Sequence, residues 1–144
     1  MGSPMRTSLV WLLLMATPFP AQAVDLSRHR WQHRPLLVFA PDAGHPAYAR
    51  LEQALAGQRA QLGDRDMRIY RIVDQRVSLE GEPLDDSART WRQRMGVAAG
   101  AFTVILVGKD GGVKLRGGSD TTLGGIFRLI DGMPMRRRQM QQDS

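Results

Sequence analysis

Two short stretches carry side chains whose types and spacing could do chemistry. In LLVFAPDAGHPAYARLEQAL, Leu36 to Leu55, Asp42 and His45 stand three apart in a polar turn. A carboxylate and an imidazole so placed could share a proton with a bound molecule. Ser119, Asp120 and Thr121 add two hydroxyls and a second carboxylate farther along. A lone histidine without an activated nucleophile is not a catalytic signature, and the same residue types serve as helix caps. We read Ser119, Asp120 and Thr121 as capping the last helix and His45 as capping the first. The chain has no cysteine. Thiol catalysis, disulfides and thiolate metal sites are therefore excluded together.

Metal binding meets a similar limit. His29 and His33 are four apart, and Met133, Met135 and Met140 form a cluster that a soft ion could accept. The histidines lack an acidic or third histidine neighbour, and the methionines follow an apolar helix, so both sets are read as packing. Gly117-Gly118 lacks the spacing of a phosphate-binding loop. No metal and no cofactor is assigned.

A second set is purely charged: Arg34, Arg65, Asp66, Lys109, Asp110, Asp131 and Arg136. The elements around these residues decide where they meet. Leu36 to Ala40, bounded by prolines, reads as a strand buried on both faces. Pro46 opens a helix in which Tyr48, Leu51, Leu55 and Leu62 recur at helical spacing until Gly63. Met67 to Val73 is the second strand, and Gln75 to Asp85 is polar without a clear period. Asp86 or Ser87 caps a short helix carrying Ala88, Trp91 and Met95, which Gly96 closes. Phe102 to Val107 is the strongest strand signal. Lys109-Asp110-Gly111-Gly112 turns it into a hairpin with an amphipathic strand at Val113 to Leu115. Leu123, Ile126, Phe127 and Ile130 make the last helix, ending at Gly132-Met133-Pro134, and Met135 to Ser144 is a basic, then polar, tail.

Strand, helix, strand, helix, strand, strand, helix, with a crossover first and a hairpin last, predicts an α/β thioredoxin-like sandwich. Its expected sheet has four strands in the order 2-1-3-4, mixed, with flanking helices. That topology sends the charged set to one edge of the sheet. It sends Asp42, His45, Ser119, Asp120 and Thr121 to the opposite edge, where a redox thioredoxin keeps its dithiol and two helix N-termini converge. This second group would then be a vestigial pocket. For the charged group we favour internal ion pairs that tie turns together over a binding site.

The first residues set the expected compartment. One basic residue, Arg6, precedes an apolar run from Leu9 to Met15 and the small-residue pattern Ala21-Gln22-Ala23. This reads as a secretory signal peptide over residues 1–23, cleaved before Val24. The run is shorter than the ~20 residues that span a bilayer, so no transmembrane segment is expected after cleavage. Residues 24–144 then form a single domain with a basic C-terminal tail, periplasmic or secreted. The formal charge is +6, and Lys109 and Lys114 are the only lysines. Such an arginine-dominated surface attracts phosphate and carboxylate polymers. Arg136-Arg137-Arg138, beside Arg34 and Lys109, is the expected basic patch.

Several segments also resemble a known family. Trp31 with Arg34-Pro35-Leu36, Arg65-Asp66-Met67, Gly108 to Arg116, and Leu129-Ile130-Asp131-Gly132-Met133-Pro134-Met135-Arg136 are similar to the bacterial secreted family called domain of unknown function 4174. That family resembles the thioredoxin-like modules of the animal protein equarin and of sushi-repeat relatives. The resemblance implies a fold and a secreted location, not an activity. The functional reading is a non-enzymatic binding module for an anionic polysaccharide, lipopolysaccharide or a protein partner, with no specific nucleic acid. The alternative is a divergent enzyme or redox-linked protein using Asp42 and His45.

Overall fold

The computed structural model describes Gly2 and residues 25–144, so the expected signal peptide lies outside the described residues. Strand β1 (Arg34–Ala40) is buried along its whole length and occupies the middle of the sheet. It pairs in parallel with β2 (Met67–Val73) and antiparallel with β5 (Thr103–Val107). A strand flanked on both edges and covered on both faces must be apolar throughout, which is what the continuous run Leu36 to Ala40 supplies. Strand β6 (Val113–Gly117) closes one edge through the Lys109–Gly112 turn, where Gly111 has φ 85°.

The sheet has six strands rather than the expected four. Strands β3 (Arg76–Leu79) and β4 (Glu82–Leu84) extend it beyond β2, giving the order β4-β3-β2-β1-β5-β6. The four expected strands are neighbours in the expected order, and the extra hairpin comes from the stretch read as irregular. Both of its turns use left-handed backbone: Asp74 has φ 53°, and Glu80 and Gly81 have φ 50° and 82°. Two successive positive φ values make the tight turn whose twist suits a hairpin. Strands of three or four residues with Pro83 among them leave little periodicity to read.

Helices cover both faces. Helices α1 (Pro46–Ala56), α2 (Arg59–Asp64) and α4 (Leu123–Asp131) pack Leu51, Leu55, Leu62, Ile126 and Ile130 on Leu36, Val38 and Ala40. On the other face α3 (Ala88–Met95) sets Trp91 and Ala88 against Leu37, Phe39, Tyr70 and Ile72. The expected single helix from Pro46 to Gly63 is two. Gly57 closes α1, non-helical Gln58 redirects the chain, and Gly63 lies inside α2. Leu62, on the second of the two helices, stays buried against the same core cluster as Leu51 and Leu55. The tail also differs: Pro134 does not only stop α4 but opens a fifth helix, α5 (Pro134–Gln142), as its first residue.

Ser87 caps α3, accepting from the Thr90 N–H at 3.2 Å, while Asp86 accepts from the indole N–H of Trp91 at 2.9 Å. Among the described residues no helix is long and apolar enough to cross a membrane. Leu51 is 4% exposed between α1 and the sheet. Truncation to alanine should cost about 2–5 kcal/mol, measured as a lower urea midpoint at unchanged slope.

Candidate functional site

At the β1 N-terminal end of the sheet, three arginines are withdrawn from water: Arg34, Arg65 and Arg136 are 1%, 8% and 3% exposed. Arg65, which follows α2, meets Asp131 at the end of α4 in a two-pronged pair of 3.1 and 2.9 Å. Its remaining nitrogen donates to the backbone and side-chain oxygens of Gln61, and its guanidinium carbon lies 4.2 Å from the centre of the Phe127 ring. Arg34 donates to the Arg65 carbonyl at 2.8 Å, and its own N–H bonds the Asp66 carbonyl. Arg136, on α5, donates to the carboxylate and carbonyl of Asp64 and reaches Asp131 at 3.3 Å. Lys109 pairs with Asp66 at 2.7 Å. Every partner is a turn or a helix end, so the group fastens β1, α2, the β5–β6 hairpin, α4 and α5 together.

Six of the seven predicted charged residues thus come together. Asp110 does not: it accepts from the Gly112 N–H and pairs with Lys114 inside the hairpin. Asp64, Gln61 and Gln139 are the members that sequence reasoning missed. Asp64 immediately precedes the Arg65-Asp66 motif, whereas Gln139, which accepts from Arg136 at 3.2 Å and donates to Asp66 at 3.4 Å, needed the unexpected helix α5. Burial opposes ionisation of Asp131, yet the hydrogen bonds and charges of Arg65 and Arg136 hold its carboxyl below the usual value. Asp66 behaves alike, with Lys109 outweighing burial. The expected patch of Arg136 with Arg34 and Lys109 is not an open surface, because Arg34 and Arg136 are buried and Lys109 is paired.

At the opposite edge the polar groups serve the backbone. Asp42 accepts from the Gly44 N–H at 2.8 Å, and His45 Nδ1 accepts from the Ala47 N–H at 3.2 Å as the cap of α1. The His45 ring stacks on Phe102 at 5.5 Å and 9°. Helix α4, the last helix expected from the sequence, is capped by Thr122, which accepts from the Gly125 N–H, and not by Ser119, Asp120 or Thr121 as expected. Ser119 and Asp120 are exposed, and Thr121 is half-buried. These residues share an edge but make no hydrogen bond to one another or to His45 among the described residues.

A third group was read only as packing. The turn Ser27–His29 lays His29 on Tyr70 of β2: its Nε2 lies 2.7 Å from the phenol oxygen and its Nδ1 3.0 Å from Nδ1 of His33. Arg28 donates to the same phenol oxygen at 2.9 Å. Burial first, then the cations Arg28 and Arg68 and the neighbouring His33 imidazole, push His29 down to about 4. No cluster of three or more His, Asp or Glu able to hold a metal occurs among the described residues. Next to this anchor, Trp31 is 62% exposed and takes φ 67°, its N–H bonded to the Lys109 carbonyl at 2.6 Å. A left-handed tryptophan backbone persists only where its surroundings enforce it. Arg28 and Arg30 beside it are exposed.

Two open clefts of about 620 and 590 Å³ flank β2, one against α1 and α2 and the other against Tyr48 and the β3–β4 hairpin, with Arg71 lining both. Neither is lined by Asp42, His45 or the Ser119–Thr121 segment. Fold and site together define a cysteine-free mixed α/β domain whose polar groups largely fasten its own backbone. The chain belongs to the family described as Domain of unknown function (DUF4174), which it matches over residues 25–139. It is also 32% identical over 133 residues to coiled-coil domain-containing protein 80 of Danio rerio, covering 80% of this chain. The match spans 15% of that larger protein.

The cluster generates a paired test. Asp131→Asn removes the shared partner of two buried arginines and should cost about 1–3 kcal/mol, whereas Asp110→Asn, in an exposed hairpin pair, should cost under about 1 kcal/mol. The Asp66 and Asp131 contributions are present above the unfolded carboxylate range near 3.8 and are lost as pH falls through the lower folded values. Denaturation midpoints at neutral pH and below pH 4 check both statements. Equal costs at the two positions would contradict the structural role.

Proposed function

We propose that this chain is a secreted or periplasmic, non-enzymatic binding module of thioredoxin-like architecture whose ligand is an anionic envelope polymer. The neighbouring order β2-β1-β5-β6, with a parallel first pair, antiparallel later pairs and helices on both faces, supports the architecture. The binding reading rests on one observation: many of the carboxylates are engaged internally while two arginines beside an exposed tryptophan pair with none of them. Glu52, Asp64, Asp66, Asp110 and Asp131 are engaged in ion pairs, and Asp42, Glu80 and Asp86 accept internal hydrogen bonds. Arg28 and Arg30, by contrast, are exposed in the segment that leads into the exposed Trp31 and form no ion pair among the described residues, although Arg28 also donates to the Tyr70 hydroxyl.

An exposed indole in the same short segment as two exposed guanidinium groups suits a chain of sugar rings bearing carboxylate, sulfate or phosphate. Arginine pairs such groups in two-pronged geometry, and the indole covers the apolar face of the ring between them. The enzyme alternative gains no support from Asp42 and His45, since both side chains are occupied by backbone N–H groups in their own turn.

Heparin, as a sulfated probe, tests the reading. Binding should weaken steeply as salt shortens the Debye length from ~10 Å to ~3 Å. Arg28→Gln with Arg30→Gln should elute from a heparin column at lower salt than Arg137→Gln with Arg138→Gln. An equal shift for the two pairs would leave only diffuse attraction and contradict a defined face.

A further inference from the structure

The proton positions around His29 are fixed by its partners. Arg28 donates to the Tyr70 oxygen at 2.9 Å, and its Nε approaches His29 Nε2 at 3.4 Å. A guanidinium only donates, so Nε2 is an acceptor and the Tyr70 hydroxyl gives its proton to it. Nδ1 then carries the ring proton and donates it to His33 Nδ1 at 3.0 Å. The chain therefore runs Arg28 to Tyr70 to His29 to His33, and it closes only while both imidazoles are neutral. A proton on His29 Nε2 would face the Arg28 cation and displace the hydroxyl proton. A proton on His33 Nδ1 would set two N–H groups against each other at 3.0 Å.

We propose that residues 25–33 form an acid-releasable strap: protonation of His29 or His33 breaks this chain, unseats the turn from β2, and dismantles the face formed by Arg28, Arg30 and Trp31. The surroundings favour release once a proton arrives. Facing the two imidazoles are Arg28 from the turn, Arg68 from β2 and Lys109 from the hairpin, against the single carboxylate of Asp66, which Lys109 already holds. From α3 only the uncharged Trp91 meets Tyr70, at 4.9 Å between ring centres, with Asp86 bonded to its indole. The strap is otherwise held by Leu26 against the second core cluster and by the backbone bond from Trp31 to Lys109, while the Gln32 and His33 N–H groups on the His29 carbonyl keep its own turn closed. The strained Trp31 backbone relaxes when those bonds open.

The sign is set by the buried, neutral histidine. The seated strap is fully favoured above the ordinary value of 6.5 and loses ground as pH falls toward about 4. Binding of a polyanion gives the proposal an unusual signature, and this part rests on the binding reading above. Charge alone predicts tighter heparin binding in acid because the histidines gain charge. The strap predicts weaker binding, because the face comes apart.

Amide hydrogen exchange on the ligand-free chain, corrected for intrinsic rates, tests the strap without any ligand. Between pH 7 and pH 4.5 the Trp31, Gln32 and His33 amides should lose protection by a factor in the tens, while Leu37 and Ile105 amides in the central strands keep theirs. His29→Gln should flatten that response. Should this variant fail to fold, His33→Gln, at a half-buried position, should reduce it. Flat protection in the native chain, loss in step with the central strands, or an undiminished response in the folded variants would overturn the strap. Heparin affinity at the same two pH values separates the claims. If the amides respond but heparin binds at neither pH, or binds more tightly in acid, the strap stands and the proposed binding face falls.

Discussion

Three buried arginines need fixed oxygens, and much of the architecture follows from supplying them. A guanidinium loses far more than an apolar group when it leaves water unless its donors are met. Arg34, Arg65 and Arg136 meet that demand with the Arg65 and Asp64 carbonyls and the Asp64, Gln61 and Asp131 side chains. Those oxygens sit where α2 ends, where β2 begins and where α4 ends, so the chain has little freedom to place its turns otherwise. Helix α5 is a consequence: its apolar stripe is poor, with Arg136 as its one buried residue, and that arginine docks it. Burial pulls Arg34 below its ordinary value, while the Asp64 and Asp131 carboxylates outweigh burial at Arg136 and raise it.

The same use of carboxylates shapes the exterior. Internal ion pairs remove cations and acids in equal number, so the basic surplus of +6 set by composition is left to the rest of the surface. The anionic ligand we propose, and its location on the strap, rest on that surplus and on the exposed Arg28, Arg30 and Trp31. In the opposite turn, Asp42 and His45 hold backbone N–H groups as part of the scaffold.

The sheet centre was legible because burial on two faces demands apolar runs: Leu36 to Ala40 and Phe102 to Val107 can be little else. The meeting of Arg34, Arg65, Asp66, Lys109, Asp131 and Arg136 was legible from topology alone, since all precede strands or follow helices at one end. Their burial was not. Periodicity distinguishes apolar from polar positions but does not show that an arginine at a strand start will be 1% exposed. The β3–β4 hairpin escaped because its strands are only four and three residues long and Asp74 and Glu80 take left-handed backbone without announcing it, so Gly81 alone did not mark a hairpin. Helix α5 escaped because Pro134 both ends one helix and begins another. His29 escaped because its partner, Tyr70, is 41 residues away and was read only as part of a strand.

The most direct test of the central claim is a double-mutant cycle joining Arg65→Gln and Asp131→Asn, with stability and heparin affinity measured on all four proteins. The account predicts a favourable coupling of about 1–3 kcal/mol in stability and no coupling in affinity. Independent, additive effects on stability together with a coupled loss of binding would contradict it, and would make the arginine cluster a ligand site instead of the fastening of the fold.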